Sequence, residues 1–167
     1  PASFQLTPNP GARPDHEIVP DAPVRATKLR LSTDQGKYFH LRTLRALSPR
    51  PEGYPNVFTD AIPEGLVDHA RSARINHTPT HPVFGKGSGP EKVIDGKVGT
   101  SWIAASQPEI SYELDWGDEA REIGCIQFVS GWWNDLDGKY VHFLKSYRVE
   151  YWDEEGQEWV ELATLTE

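Results

Sequence analysis

Short runs in which apolar and polar residues alternate, each closed by turn-forming residues, constrain this chain more than anything else in its sequence. The run Ile110-Ser-Tyr-Glu-Leu-Asp-Trp116 puts Ile110, Tyr112, Leu114 and Trp116 on one face of a strand, because successive strand side chains point to opposite sides. Tyr147-Arg-Val-Glu-Tyr-Trp152 and Trp159-Val-Glu-Leu-Ala163 alternate less cleanly, but both are rich in β-branched and aromatic residues. Turn chemistry bounds them: Trp-Gly-Asp at 116–118, Asp-Gly at 137–138 and Asp-Glu-Glu-Gly at 153–156. Upstream, residues 27–32 and 38–44 read as two more strands, joined through Asp34-Gln-Gly36 as a hairpin. Only residues 63–73 have helical spacing, with Pro63 at the start and Leu66, Val67 and Ala70 roughly one turn apart. Many short strands punctuated by Gly and Pro predict an all-β fold, an antiparallel β-sandwich or a barrel. The stretches 49–55 and 85–90 are connections in this reading, and residues 1–20 carry too much proline for a central strand.

At 167 residues the chain has the size of one domain and can bury a core without covalent help. Its single cysteine, Cys125, excludes an internal disulfide framework, and its apolar neighbours point to a buried, inert thiol. A net charge of −8 argues against nucleic acid and against anionic membrane surfaces, both of which are bound through clustered Lys and Arg. The chain opens at Pro1 without a basic, apolar leader and contains no Met, which reads as a module processed or excised from a longer protein. Six Trp, six Tyr and six Phe in so polar a chain either fill a core or form a flat binding surface.

Several motifs then follow one another in a telling order. Val93-Ile-Asp-Gly-Lys-Val-Gly-Thr-Ser-Trp102 is an Asp-Gly loop followed by Thr-x-Trp. Tyr112-Glu-Leu-Asp-Trp-Gly117, Arg121-Glu-Ile-Gly-Cys-Ile-Gln-Phe128 and the strand, turn and Trp of residues 145–159 come next. In this order they resemble the discoidin-like, or coagulation factor V/VIII type C, domains, and among them the family 32 carbohydrate-binding modules. The resemblance implies a jelly-roll β-sandwich of the galactose-binding-domain kind. Members of that family end on two further strands, whereas this chain stops at Glu167 without their motifs. Ala26-Thr-Lys-Leu-Arg-Leu31, the 34–36 turn and Leu41-Arg-Thr-Leu-Arg-Ala-Leu47 look like that ending placed at the front.

The implied organisation is a single, circularly permuted sandwich over 1–167. Residues 1–20 form an extended N-terminal segment, 21–48 the family's closing strands, 49–71 a linker and 72–167 the main part. A cut between tandem copies is the rival; permutation is preferred because half-sandwiches would expose unpaired sheet edges.

In that family ligands sit on loops at one end of the sandwich, and the resemblance implies a sugar site. A pyranose needs a flat aromatic face and polar groups in the plane of its hydroxyls. The loop 130–140 offers Trp132, Trp133, Asn134, Lys139 and Tyr140; adjacent Trp residues in a strand point to opposite faces, so one packs inward and the other is presented. His77, His81 and Phe84 match a His and an aromatic that line the family's site, and Tyr38, Phe39 and His40 match its hairpin contact, with one of Tyr38 and Phe39 facing inward. Pro79 forbids the helix that would converge His77 and His81 on zinc. Trp102, Trp116 and Trp159 lie in or beside strands and read as core. A structural calcium is common beside the family's Asp-Gly loop, and Asp95 and Thr100 would be its ligands. Lys97 and Thr43 stand where further acidic ligands are expected, which weighs against the ion and leaves no required cofactor.

The reading is therefore a non-catalytic carbohydrate-binding module. The resemblance implies a secreted, bacterial, monomeric module, tethered to a polysaccharide-active enzyme, whose partner is a glycan rather than nucleic acid or membrane. The alternative is a protein or cell-surface adhesion domain, which predicts a broad apolar patch. Catalysis would need a carboxylate pair across a cleft, whereas Asp135, Asp137, Asp153, Glu154 and Glu155 lie in turns.

Overall fold

The computed structural model describes residues 3–6, 13–52 and 58–166. In chain order its strands are β1 (Ser3–Leu6), β2 (Asp15–Val19), β3 (Val24–Ala26), β4 (Lys28–Thr33), β5 (His40–Leu47), β6 (Arg74–His77), β7 (Trp102–Ile103), β8 (Ile110–Asp115), β9 (Arg121–Ile123), β10 (Cys125–Ser130), β11 (Trp132–Asn134), β12 (Lys139–Val141), β13 (Tyr147–Asp153) and β14 (Glu158–Leu165). The alternation read from sequence is realised in β8, where Ile110, Tyr112 and Leu114 are buried and Trp116 follows them just beyond the strand.

Two five-stranded antiparallel sheets form, in the orders β1-β2-β10-β5-β7 and β14-β13-β4-β8-β6. They close on one core as an all-β sandwich, with Leu29, Leu31, Tyr112 and Val149 from one sheet among Ile18, Leu41, Leu44, Ile126 and Phe128 from the other. Tyr147 meets Phe128 edge-on at 4.9 Å across the gap, and Trp102 meets Tyr112 at 5.4 Å. Strands β4 and β5, from the first third of the chain, lie inside the two sheets, β4 between β13 and β8 and β5 between β10 and β7.

Three expectations are corrected. Residues 34–36 are not a hairpin: β4 and β5 belong to different sheets, and the connection carries the chain across the sandwich while Phe39 drops into the core. Residues 63–73 give only a single 3-10 turn, His69–Ser72. Gly65 takes a left-handed φ of 87°, and the Val67 backbone pairs with Ser48, so the segment binds the end of β5 instead of coiling on itself. Third, β2 is interior, hydrogen-bonded to β1 on one side and β10 on the other. Its prolines, Pro14 and Pro20, stand just outside it and leave its amides free to pair.

The segment expected to be a linker, 49–71, does more than connect; its residues 53–57 lie outside the described part. Its flanks cover the outer face of the β2-β10-β5 sheet, where polar side chains are buried. Arg45, 1% exposed, donates to the Thr59 carbonyl at 2.7 Å, the Asp60 carbonyl at 2.5 Å and Gln127 Oε1 at 3.2 Å. Gln127 in turn donates to Glu17 at 2.6 Å, and Arg50 reaches the same Glu17 oxygen at 2.8 Å. A buried guanidinium is tolerable only with such partners. Cys125 lies beneath, and burial pushes its thiol up to about 12, as its apolar sequence suggested.

His16 is also interior, stacked 4.4 Å from Phe128 and 3.3 Å from the Tyr147 hydroxyl; burial pulls its imidazole down to about 4 from 6.5. A depressed histidine stabilises the fold fully above pH 6.5 and loses that contribution as pH falls from 6.5 toward 4, because only the unfolded state takes up the proton in that window. The His16 contribution, read from urea unfolding as the difference between the native protein and a His16 variant, should therefore fall by on the order of 2–3 kcal/mol across this range. His16→Gln should show a clearly shallower fall; equal slopes would remove His16 as the cause.

Candidate functional site

The end of the sandwich where β5 begins gathers most of the expected loops. His40, the first residue of β5, donates its backbone N–H to the His142 carbonyl at 3.0 Å, and its own carbonyl accepts from Gly131 at 2.7 Å. These bonds tie β5 to both chains of the β11–β12 ribbon at its open end. β7 pairs with the other edge of β5, and the His81 amide donates to the Ile103 carbonyl at 2.8 Å, which brings in the 81–88 loop.

The result is a row of six rings. Phe84 stacks on His81 at 4.7 Å, His81 meets Tyr38 at 5.4 Å, and Tyr38 stacks on His142 at 4.7 Å. His142 faces His40 at 6.0 Å, and His40 faces Trp132 at 6.3 Å with the planes only 21° apart. Phe84 is 57% exposed and Trp132 49%, so the ends of the row stand in water. Within it the polar atoms are oriented. His81 Nδ1 accepts from the amides of Val83 and Phe84 at 3.2 and 3.1 Å, which leaves the proton of the neutral ring on Nε2. The Tyr38 hydroxyl lies 3.4 Å from His142 Nε2, and His40 Nδ1 lies 3.3 Å from the Ser101 hydroxyl. Burial first, then the charges of His142 and Arg42, pull His40 down to about 4, so it is neutral at ordinary pH.

Not every expected residue joins the row. Phe39 is core, 3% exposed, edge-on to Trp102; the inward member of the Tyr38–Phe39 pair is thus Phe39. His77, on β6, meets the buried side of Trp102 at 5.7 Å and makes no contact with the six rings. Trp132 and Trp133 are both exposed, because β11 pairs only with β12 and the ribbon has no inward face. Trp132, Asn134 and Lys139 share one side of that ribbon; Trp133 and its cross-strand partner Tyr140, 5.2 Å apart, occupy the other. Asn134 is engaged in the turn itself, accepting from the Leu136 amide at 3.0 Å and donating to Asp137 at 2.8 Å.

The two candidate calcium ligands, Asp95 and Thr100, bond to each other within their loop. Both Asp95 oxygens are used by the loop, one by the Lys97 amide at 2.8 Å and one by the Thr100 hydroxyl at 2.7 Å. The Arg71 guanidinium lies against Gly96 in the same loop. Among the described residues no three His, Cys, Asp or Glu side chains converge on one point. The loop closes on its own hydrogen bonds.

His142 was missed from sequence. It has a left-handed φ of 52°, rare for a non-glycine, and this turns the chain from the ribbon back toward β13. The signal was present: counting back from the Asp-Gly turn at 137–138 sets Trp132 opposite Val141 and so brings 142 beside Gly131. Two grooves, of about 440 and 480 Å³, lie elsewhere on the molecule, against β13 and β14, and contain none of these side chains. No family model, curated protein or solved structure matches the chain.

Trp102, Trp116 and Trp159 also separate. Trp102 and Trp116 are buried, with indole N–H bonds to Thr80 and the His69 carbonyl. Trp159 is half-buried under the Arg30 guanidinium at 4.1 Å, on the far sheet. Gly85 fixes the loop that carries Phe84: a Cβ there would stand 2.2 Å from Thr80 Cγ2 and 2.5 Å from the His81 carbonyl oxygen. Gly85→Ala should lower the melting temperature by about 3–10 °C through this overpacking. An unchanged melting temperature would mean that the 81–88 loop is not held as described.

Proposed function

We propose that this protein is a non-catalytic carbohydrate-binding module whose ligand lies across the ring row at the β5 end of the sandwich. One observation carries the reading: Phe84, His81, Tyr38, His142, His40 and Trp132 form a contiguous row of rings on one surface, with Phe84, His142 and Trp132 exposed and Tyr38, His81 and His40 half-buried between them. Ring faces stack on the apolar side of a pyranose, and the interleaved N–H and O–H groups suit its equatorial hydroxyls. The motif order from 93 to 159 supports a discoidin-like module with the closing strands moved to the front, and the interior places of β4 and β5 agree with it. Its role as an accessory to a secreted, polysaccharide-active enzyme rests on that resemblance.

The acidic side chains support a non-catalytic role. Asp153 accepts from Glu155 and Gly156 within its own turn, Glu154 from Thr27 and Gln157, and Asp137 from Asn134. The buried carboxylates are committed too, Glu17 accepting from Gln127 and Arg50 and Glu150 pairing with Arg30, while half-buried Asp68 caps the His69–Ser72 turn. None of these forms a pair facing a cleft, as glycoside hydrolysis requires.

Adhesion to a protein surface is the second reading, favoured by the exposure of Leu136, 95%, and Val83, 69%, beside the row. A glycan array followed by affinity electrophoresis separates the two. Trp132→Ala and Tyr38→Ala should each weaken glycan binding by about tenfold. Trp133→Ala, on the opposite side of the ribbon, should change it by less than about threefold. Silence across neutral and acidic polysaccharides would transfer the assignment to adhesion.

A further inference from the structure

The charge of the proposed platform differs in sign from the charge of the molecule. The three segments that build it, residues 37–42, 81–101 and 131–145, hold seven Lys and Arg against four Asp and Glu, a formal +3. The whole chain has 17 Lys and Arg against 25 Asp and Glu, a formal −8. The same segments hold three of the six histidines, all in the ring row.

Two of the four acidic groups of the platform are engaged locally, while Glu91 and Asp135 are exposed. Asp95 is closed on the Lys97 amide and Thr100, and Asp137 on Asn134. Three of the basic residues neighbour ring-row residues along the chain or across the ribbon. Lys139 shares the ribbon side of Trp132, Lys37 precedes Tyr38, and Lys86 follows Phe84 by two positions; all three are exposed. Arg42 lies on the same side of β5 as His40, held by the Val98 carbonyl at 2.7 Å.

Resting on the carbohydrate reading above, we infer that the ligand is an anionic glycan, one whose sugars bear carboxylates or sulfates, and that Lys139 and Lys86, at opposite ends of the row, contact acidic groups of different sugars while Trp132 and Tyr38 stack on the rings. Elsewhere the surface is strongly acidic and repels a polyanion, so the platform is where such a chain can settle. The imidazoles of His81 and His142 add donors without requiring a fixed charge.

Affinity electrophoresis of the whole chain in gels containing a neutral galactan, a polygalacturonate or a sulfated galactan tests this. The expected result is retardation in one or both anionic gels and little in the neutral one, with binding falling by about tenfold between about 50 and about 500 mM salt. The two anionic gels distinguish carboxylate from sulfate. Lys139→Ala and Lys86→Ala should each reduce binding by about threefold to tenfold, whereas Lys28→Ala, on the outer side of the far sheet, should not. Equal retardation by neutral and anionic gels would overturn the anionic assignment and leave the glycan reading in place. So would loss with Trp132→Ala alone and none with the lysine variants. Absence of retardation in all gels would overturn the glycan reading itself.

Discussion

Trp102 is the contact on which the candidate site depends. Its side chain is fully buried, its N–H donates to Thr80 at 3.0 Å, and its ring touches Phe39, Tyr112 and His77. Its backbone pairs with Leu41 in the short ladder between β7 and β5. One residue therefore fixes the loop bearing His81 and Phe84, the connection bearing Tyr38, and the start of the strand bearing His40. A tryptophan suits the place because it fills a large volume on both sides and still satisfies its one polar atom. The Thr-x-Trp motif that gave the resemblance is thus a packing device, and its consequence for binding is indirect.

The opposite outer face shows what happens where a sheet must be covered by an irregular chain. β5 and β10 present Arg45 and Gln127 outward, and a bare hydrophobic outer face would have matched the alternation of a buried strand equally well. Instead, carbonyls from residues 59 and 60 accept from Arg45, so the covering segment gains partners for backbone groups that a strand would have paired internally. The guanidinium lies 5.0 Å from the Phe58 ring, adding an apolar lid to the polar contacts. Breaking one member of such a network leaves the others buried and unpaired, which makes the region cooperative rather than a passive tether.

Much of this was legible in the sequence, and the limits have physical causes. Period-two alternation located β4, β8, β13 and β14 to within one or two residues, because a half-buried strand must alternate. Partner choice was not legible: Asp34-Gln-Gly36 has hairpin composition, yet the burial of Phe39 and the pairing of β4 with β13 and β8 route the chain to the other sheet. At the site, the alternation rule identified Phe39 or Tyr38 as the inward residue. It failed for Trp132 and Trp133, since a ribbon paired only with itself offers no interior to choose. His142 depends on two contacts distant in sequence, with His40 and with Tyr38; the turn register sets residue 142 beside Gly131 but does not reach either contact.

The placement of the rings follows a final constraint. A packed fold normally buries its Trp and Phe, and this one has the core to do so, as Trp102, Trp116 and Phe128 demonstrate. Trp132 and Phe84 are kept out by backbone features that have no use in the core. The ribbon that carries Trp132 extends beyond both sheets, and the 81–88 loop turns tightly at Gly85, where a side chain would collide with Thr80. His142 accepts a left-handed backbone where glycine would be easier, and its ring bridges Tyr38 and His40. Three independent local costs converge on one continuous aromatic surface. Packing alone would relieve each of them separately, so their coincidence is better explained by what the surface meets in solution than by the stability of the sandwich.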